Sequence, residues 1–262
     1  MIIESKQNPL IRQLKKCREK SGRDQYGVFL VEGTRLTFHA VKSGVHLKHL
    51  LCTPEYLEEN RKLLDGLNFQ LVSENVLKEL CDTQHPQGIA AVVRKPDTNF
   101  ENLEVGDSCF FIFCDEVRDP GNMGTIIRTA EAAGANGIVL PKGCVDIFSQ
   151  KVVRSTMGSI FTMPVYLCDD KKSCLTSLQE QGCEILAAHL KGKNLYQYSF
   201  AEKSVIVIGN EANGVTGEVL SLCNNMISIP MMERVESLNA AVSLGIIAYE
   251  RFRQKNIKIG EM

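Results

Sequence analysis

The chain has 262 residues, 44% hydrophobic and 23% charged, the composition of a soluble globular protein with room for two ordinary domains. No apolar run approaches the roughly 18 residues of a membrane span, so a membrane is excluded as a partner. A net charge of −1 excludes a globally polycationic nucleic-acid binder; any such contact has to come from local charge.

The opening stretch, MIIESKQNPLIRQLKKCREK, has no signal-type apolar core and no small-residue cleavage site, so a cytoplasmic protein is expected. Within residues 1–23 the bases Lys6, Arg12, Lys15, Lys16, Arg18, Lys20 and Arg23 face only Glu4 and Glu19, a local charge of +5. On one short helix such a cluster either meets phosphates or forms a solvated face, and charge alone leaves both open.

Short apolar runs and helical patterns then alternate. Strands are expected at 27–33, 46–52, 69–72 and 88–94, and helices at 34–43, 55–66 and 74–81. KPDTNFENLEVGDS (95–108) is polar and turn-rich and reads as a linker, with a boundary near residue 100. Beyond it, strands are expected at 109–114, 137–140, 164–168, 184–188, 204–208 and 226–229. Helices are expected at 123–134, 149–156, 171–181, 215–223 and 238–254. The runs are near-continuously apolar, as in VIVIG (205–209), which suits a parallel sheet covered on both faces. The fold class is α/β throughout.

The ten cysteines sit mostly inside these apolar runs, with no CxxC pair and no Cys/His cluster at zinc spacing. They read as reduced buried thiols; no metal is expected. Cys17 and Cys144 have more polar neighbours, but no general base that would activate either as a nucleophile is identifiable beside them.

In open α/β sheets ligands meet the carboxyl ends of strands, and three turns there stand out. DPGNMGTIIR (119–128) has neither the GxGxxG nor the GxxxxGK[ST] spacing of the common phosphate loops. Asn122 is placed to cap the helix starting near 123–125, and Arg128 shares a helix face with Thr125. Spacing alone favours a surface ion pair for Arg128 over a ligand contact. VIVIGNEANGV (205–215) puts Glu211 between Gly209 and Gly214, either facing a ligand or favouring a helix start. ISIPMMERVESLNAAVSLGIIAYE (227–250) runs through Pro230 to Ser237, read as the cap of a helix. Its small residues admit a close neighbouring helix or a second subunit.

Together the turns resemble the signature of the SpoU/TrmH family of RNA 2′-O-ribose methyltransferases, of the SPOUT superfamily. Asn122, Gly124 and Arg128 match its first motif. Gly209, Glu211 and Gly214 match the second. Ile229, Pro230, Met231, Ser237, Leu238 and Asn239 match the third. FLVEGTRLTFHAVKSG (29–44) and HPQGIAAVV (85–93) resemble, less specifically, the family's L30e-like substrate-binding domain.

The resemblance implies an RNA substrate-binding domain over 1–97, a linker over 98–107 and a catalytic domain over 108–262. That catalytic domain is a SPOUT α/β fold with a mostly parallel sheet and a deep trefoil knot. It implies S-adenosyl-L-methionine as cofactor, held by Gly209, Ile229, Met231, Leu238 and Asn239. It implies a site completed across a homodimer, with Arg128 at its centre and Asn122, Glu211, Ser237 and Asn239 about it. Lys6, Arg12, Lys15, Lys16, Arg18 and Arg35 become candidate RNA contacts. Arginine stays protonated in proteins, so we expect Arg128 to position a phosphate rather than act as the base itself.

The expected activity is methyl transfer to a ribose 2′-OH, of ribosomal RNA ahead of transfer RNA, housekeeping or resistance-conferring. A non-catalytic RNA-binding assembly protein is the alternative of another class, and retention of Asn122, Arg128, Glu211, Ser237 and Asn239 argues against it. A nucleotide-dependent oxidoreductase is disfavoured, since GxGxxG is missing. The third-motif loop, PMMERVESLN, is charged by Glu233, Arg234 and Glu236, a departure from the family's small-residue form.

Overall fold

The computed structural model describes residues 2–256. Met1 and 257–262, the latter inside the expected catalytic domain, lie outside them. In chain order the elements are β1 (Ile2–Ile3), α1 (Pro9–Lys16), α2 (Lys20–Tyr26), β2 (Val28–Glu32), α3 (Thr34–Lys42), β3 (Leu47–Cys52), α4 (Pro54–Leu64), β4 (Gln70–Val72), α5 (Glu74–Leu80) and β5 (Ile89–Arg94). Then follow β6 (Cys109–Cys114), α6 (Pro120–Ala132), β7 (Gly137–Pro141), α7 (Gln150–Ser155), β8 (Val165–Cys168), α8 (Lys171–Glu180), β9 (Glu184–Asn194), β10 (Lys203–Ile208), α9 (Gly217–Leu222), β11 (Asn225–Ser228) and α10 (Ala240–Asn256).

The chain divides into two units, one of Met1–Pro96 with Asp146–Phe161, the other of Asp97–Val145 with Thr162–Met262. The first holds a five-stranded sheet of order β1-β4-β3-β5-β2. β5 runs antiparallel to both neighbours, and β2 (VFLVE) is buried at every residue. Short polar side chains start its helices: Asn8 accepts from the Leu10 amide, Thr53 from Tyr56 and Ser73 from Val76. The basic opening stretch forms two helices, α1 and α2, rather than one.

Asp146–Phe161, whose helix was expected in the catalytic domain, groups with this first unit. The reason is packing remote in sequence. The Phe148 ring lies 5.0 Å from that of Phe29. Gln150 donates to the Leu80 carbonyl (2.8 Å), and Arg154 pairs with Asp82 (3.1 Å).

The second unit holds a six-stranded sheet of order β11-β9-β10-β6-β7-β8, parallel at every pairing. Its core contains Phe111, Phe113, Val205, Val207, Leu175 and Leu178. The chain steps outward from β6 through β7 to β8, then returns on the other side of β6 through β9 and β10. Strand order therefore reverses between β6 and β10, and crevices form at such points. The linker residues are ordered against this sheet: Asn99 bridges to Leu167, whose amide donates to the Thr98 carbonyl (2.7 Å).

Three elements differ from expectation. α6 starts at Pro120, three residues early, because Asp119 accepts from the Asn122 amide (2.8 Å) and proline suits the first helical turn. Asn122 is thus inside the helix and does not cap it. α10 starts at Ala240, and its cap is Asn239, not Ser237: the Asn239 side chain accepts from the amides of Ala241 (3.0 Å) and Val242 (3.2 Å). β9 runs to Asn194, with a register shift against β11 that leaves 188–192 bulged out.

Candidate active site

The site forms where β6, β9, β10 and β11 end. β10 leads into Gly209, then a turn closed by reciprocal backbone bonds between Asn210 and Gly214, both 2.9 Å. Gly209 is required there: a Cβ on it would sit 2.1 Å from the Gly214 carbonyl carbon. Gly214 has φ 67, the left-handed region that glycine occupies without strain.

That turn, the bulge of β9 and the loop after β11 enclose a cavity of about 290 Å³. Gly209, Glu211, Ile229, Met231, Ser237 and Leu238 all line it. Asn239 and Asn122 do not; they form the rim. Asn239 Nδ2 donates to Asn122 Oδ1 (2.8 Å), and Asn122 Nδ2 donates to Glu211 Oε1 (3.0 Å). One chain of hydrogen bonds thus joins the three motifs. It also fixes the Asn122 amide orientation, because its oxygen and nitrogen each have one partner.

Burial works to raise the Glu211 carboxyl. The hydrogen bond from Asn122, and backbone bonds at Glu211, Asp119 and Arg118, outweigh it and hold the group below its ordinary range. Glu211 therefore meets the donors around it as a carboxylate. Arg128 is exposed on α6 and has no hydrogen bond or ion pair among the described residues. The surface ion pair weighed for it is not formed. α10 packs against α6, with Gly245 beside Thr129, so the small residues of the third motif serve an intramolecular helix pair.

In the first unit the basic residues are unequal. Lys6 and Lys15 both pair with Glu79 at 2.6 Å, holding its carboxyl down to about 2. Arg18 donates to the Glu79 carbonyl (3.2 Å) and lies near Asp82. Arg12, Lys16 and Arg35 are exposed and unpaired among the described residues. Arg23, counted in the local charge, is buried and bonded to the Cys17 carbonyl (2.9 Å). Among thiols, burial pushes Cys144 up to about 11 and raises Cys17, which leaves neither a nucleophile. No group of three or more metal-ligating side chains occurs among the described residues.

Sequence reasoning missed Ala188, His189 and Leu190, the bulge that forms one cavity wall. The available signal was Gly192, whose added Cβ would lie 2.5 Å from the Ile227 backbone, a mark of two strands crossing closely.

The family model of the SpoU rRNA Methylase family matches residues 109–249, and that of the MRM3-like substrate binding domain matches residues 8–91. The 23S rRNA (guanosine(2553)-2′-O)-methyltransferase RlmP of Bacillus subtilis is 34% identical over 94% of this chain and 97% of that protein. The 23S rRNA (uridine(2479)-2′-O)-methyltransferase of Streptomyces viridochromogenes is 29% identical over 90% of this chain and 86% of that protein. The AdoMet-bound rRNA methyltransferase of Sinorhizobium meliloti superposes with a TM-score of 0.85 at 29% identity, covering 98% of this chain and 99% of that one. On these matches and the hydrogen-bond chain that joins its three motifs, the chain belongs to the SpoU rRNA methylase family.

Proposed function

We propose that this protein transfers a methyl group from S-adenosylmethionine to a ribose 2′-OH of ribosomal RNA. The observation that carries this reading is one cavity lined by the second and third motifs, walled by backbone at Gly209–Gly214, to which the first motif is joined through the Asn239–Asn122–Glu211 chain. The cavity suits the cofactor: it is of small-ligand size, apolar at Ile229 and Leu238, and glycine leaves backbone open to close contact. When bound, S-adenosylmethionine supplies an electrophilic methyl on a sulfonium. Gly209, Ile229, Met231 and Leu238 hold it.

The chain's own residues then align a weak nucleophile. Arg128, charged and unpaired, holds an RNA phosphate beside the target ribose, and that phosphate or water takes the hydroxyl proton. Glu211 keeps Asn122 oriented, and Asn239 ties the pair to the start of α10.

Three further features belong to the reading. The active site is completed in a homodimer, supported by the exposed Val242 and Tyr249 on α10 (51% and 50%). The catalytic unit contains a deep trefoil knot, in keeping with the close backbone crossings at Gly192 and Gly209. The protein works in the cytoplasm. In the first unit, Arg12, Lys16 and Arg35 contact RNA phosphates.

Purified protein, tritiated S-adenosylmethionine and separate rRNA and tRNA from cells lacking the gene test the function. Label enters rRNA, and Arg128→Ala lowers the rate at least about 100-fold with cofactor binding intact. Label confined to tRNA refutes the substrate class. Absence of cofactor binding supports the RNA-binding alternative.

A further inference from the structure

A buried ion cluster lies outside the cavity, and the mechanism above does not use it. Asp115, directly after β6, is fully buried. Lys171, first residue of α8, has a side chain only 14% exposed; its Nζ meets Asp115 at 2.7 Å and Glu116 at 2.9 Å. A buried carboxylate is costly without a partner, and a well-packed apolar pair is usually at least as stable as a buried ion pair. Stability alone is a poor reason for the cluster.

Its second set of contacts gives a better one. The other oxygen of Asp115 accepts from the Thr216 amide at 2.7 Å. The Glu116 carbonyl accepts from Asn210 Nδ2 at 2.9 Å. Asn210 and Thr216 bracket the turn that forms the cavity wall. Both ends of that wall therefore hang on two consecutive residues that share one ammonium. Glu116 is also one of two described non-glycine residues at positive φ, here 59. Such a conformation persists only where its surroundings over-determine it. They do: its carboxylate is held by Lys171 and by Arg118 (2.8 Å), while Gly143 leaves room beside its side chain. Burial works to lower the Lys171 ammonium, but the two carboxylates outweigh it, so the cation is firmly charged.

We propose that Lys171 is a positioning residue for cofactor binding: through Asp115 and Glu116 it fixes the Asn210–Thr216 turn at the spacing the S-adenosylmethionine pocket requires. The proposal rests on reading the cavity as that pocket.

The test compares wild type, Lys171→Arg, Lys171→Met and the double variant Lys171→Met/Asp115→Asn. The double variant removes the Lys171 and Asp115 charges and so avoids an uncompensated fully buried carboxylate if Lys171→Met does not fold; Glu116 keeps its contact with Arg118. Circular dichroism establishes folding, calorimetric titration with S-adenosylmethionine gives Kd, and methyl transfer gives KM and kcat. The folded variants that lack the Lys171 ammonium raise Kd and KM for the cofactor about tenfold, with kcat at saturating cofactor within about threefold and KM for RNA unchanged. Lys171→Arg stays within about threefold of wild type. A folded double variant with wild-type cofactor KM overturns the proposal, as does a lowered melting temperature with no change in KM. A wild-type chain that does not bind the cofactor overturns the reading of the cavity itself.

Discussion

Gly209→Ala tests the backbone-walled pocket in its simplest form. The added Cβ falls 2.1 Å from the Gly214 carbonyl carbon, 2.2 Å from the Val215 nitrogen and 2.4 Å from the Gly214 oxygen. All three are backbone atoms, so no side-chain rotation relieves the clash. Reaching the 3.4 Å of ordinary contact needs a retreat of about 1.3 Å by residues 214–215. That movement opens the two 2.9 Å bonds between Asn210 and Gly214. Their loss costs about 1 kcal/mol each, and overpacking adds about 1–3 kcal/mol. The expected result is a loss of about 3–5 kcal/mol in denaturant unfolding. Because Gly214 and Val215 line the cavity, cofactor affinity by calorimetric titration falls more than about tenfold. A variant within about 0.5 kcal/mol of wild type that binds the cofactor normally refutes the reasoning.

Other outcomes follow from particular contacts. Glu211 has a folded pKa below its ordinary 4.5, so it adds stability above that value and loses it as pH falls through the lower folded one. Glu211→Gln therefore flattens the acid limb of melting temperature against pH, and an unchanged limb refutes the assignment. Arg251 is buried over the Phe110 ring (4.5 Å) and donates to Ser204 Oγ (2.7 Å) and to the Cys109 and Glu202 carbonyls, both 3.1 Å. Arg251→Met removes three charge-assisted bonds, though the Glu202 carbonyl keeps another donor in the Cys109 amide (3.1 Å), and lowers unfolding stability by about 3 kcal/mol. In RNA binding against salt, Arg12→Ala, Lys16→Ala and Arg35→Ala each reduce the slope by about one. Lys6→Ala and Lys15→Ala change it less, because Glu79 already neutralises those cations.

The alternation of strands and helices was legible because the runs are long and apolar, as CFFIFC and IAAVV are. The motif turns stood out by their place at strand ends, but local pattern left structural and ligand readings open there, and it was the resemblance to the SpoU/TrmH family that singled out their residues. What escaped depends on partners remote in sequence. The basic cluster read as an undivided patch, yet Glu79, 73 residues from Lys6, occupies two of its lysines. The placement of Asp146–Phe161 rests on Phe29, more than a hundred residues earlier. The helix starts were misplaced where two capping candidates compete, Asp119 with Asn122 and Ser237 with Asn239. Local pattern does not rank them, and the side-chain bonds do. β1 has only two residues and pairs with β4 alone, too short for any periodic signal.

Methyl transfer to ribose, and not to a base, is the central claim. Its most direct measurement is mass spectrometry of nucleosides from rRNA treated with the purified protein and S-adenosylmethionine, beside the Arg128→Ala variant. The account predicts a single nucleoside that gains a methyl on its ribose, resists alkaline cleavage at its 3′ phosphate, and is missing with the variant. A methyl found on a base, or a ribose methyl formed equally by Arg128→Ala, would contradict it.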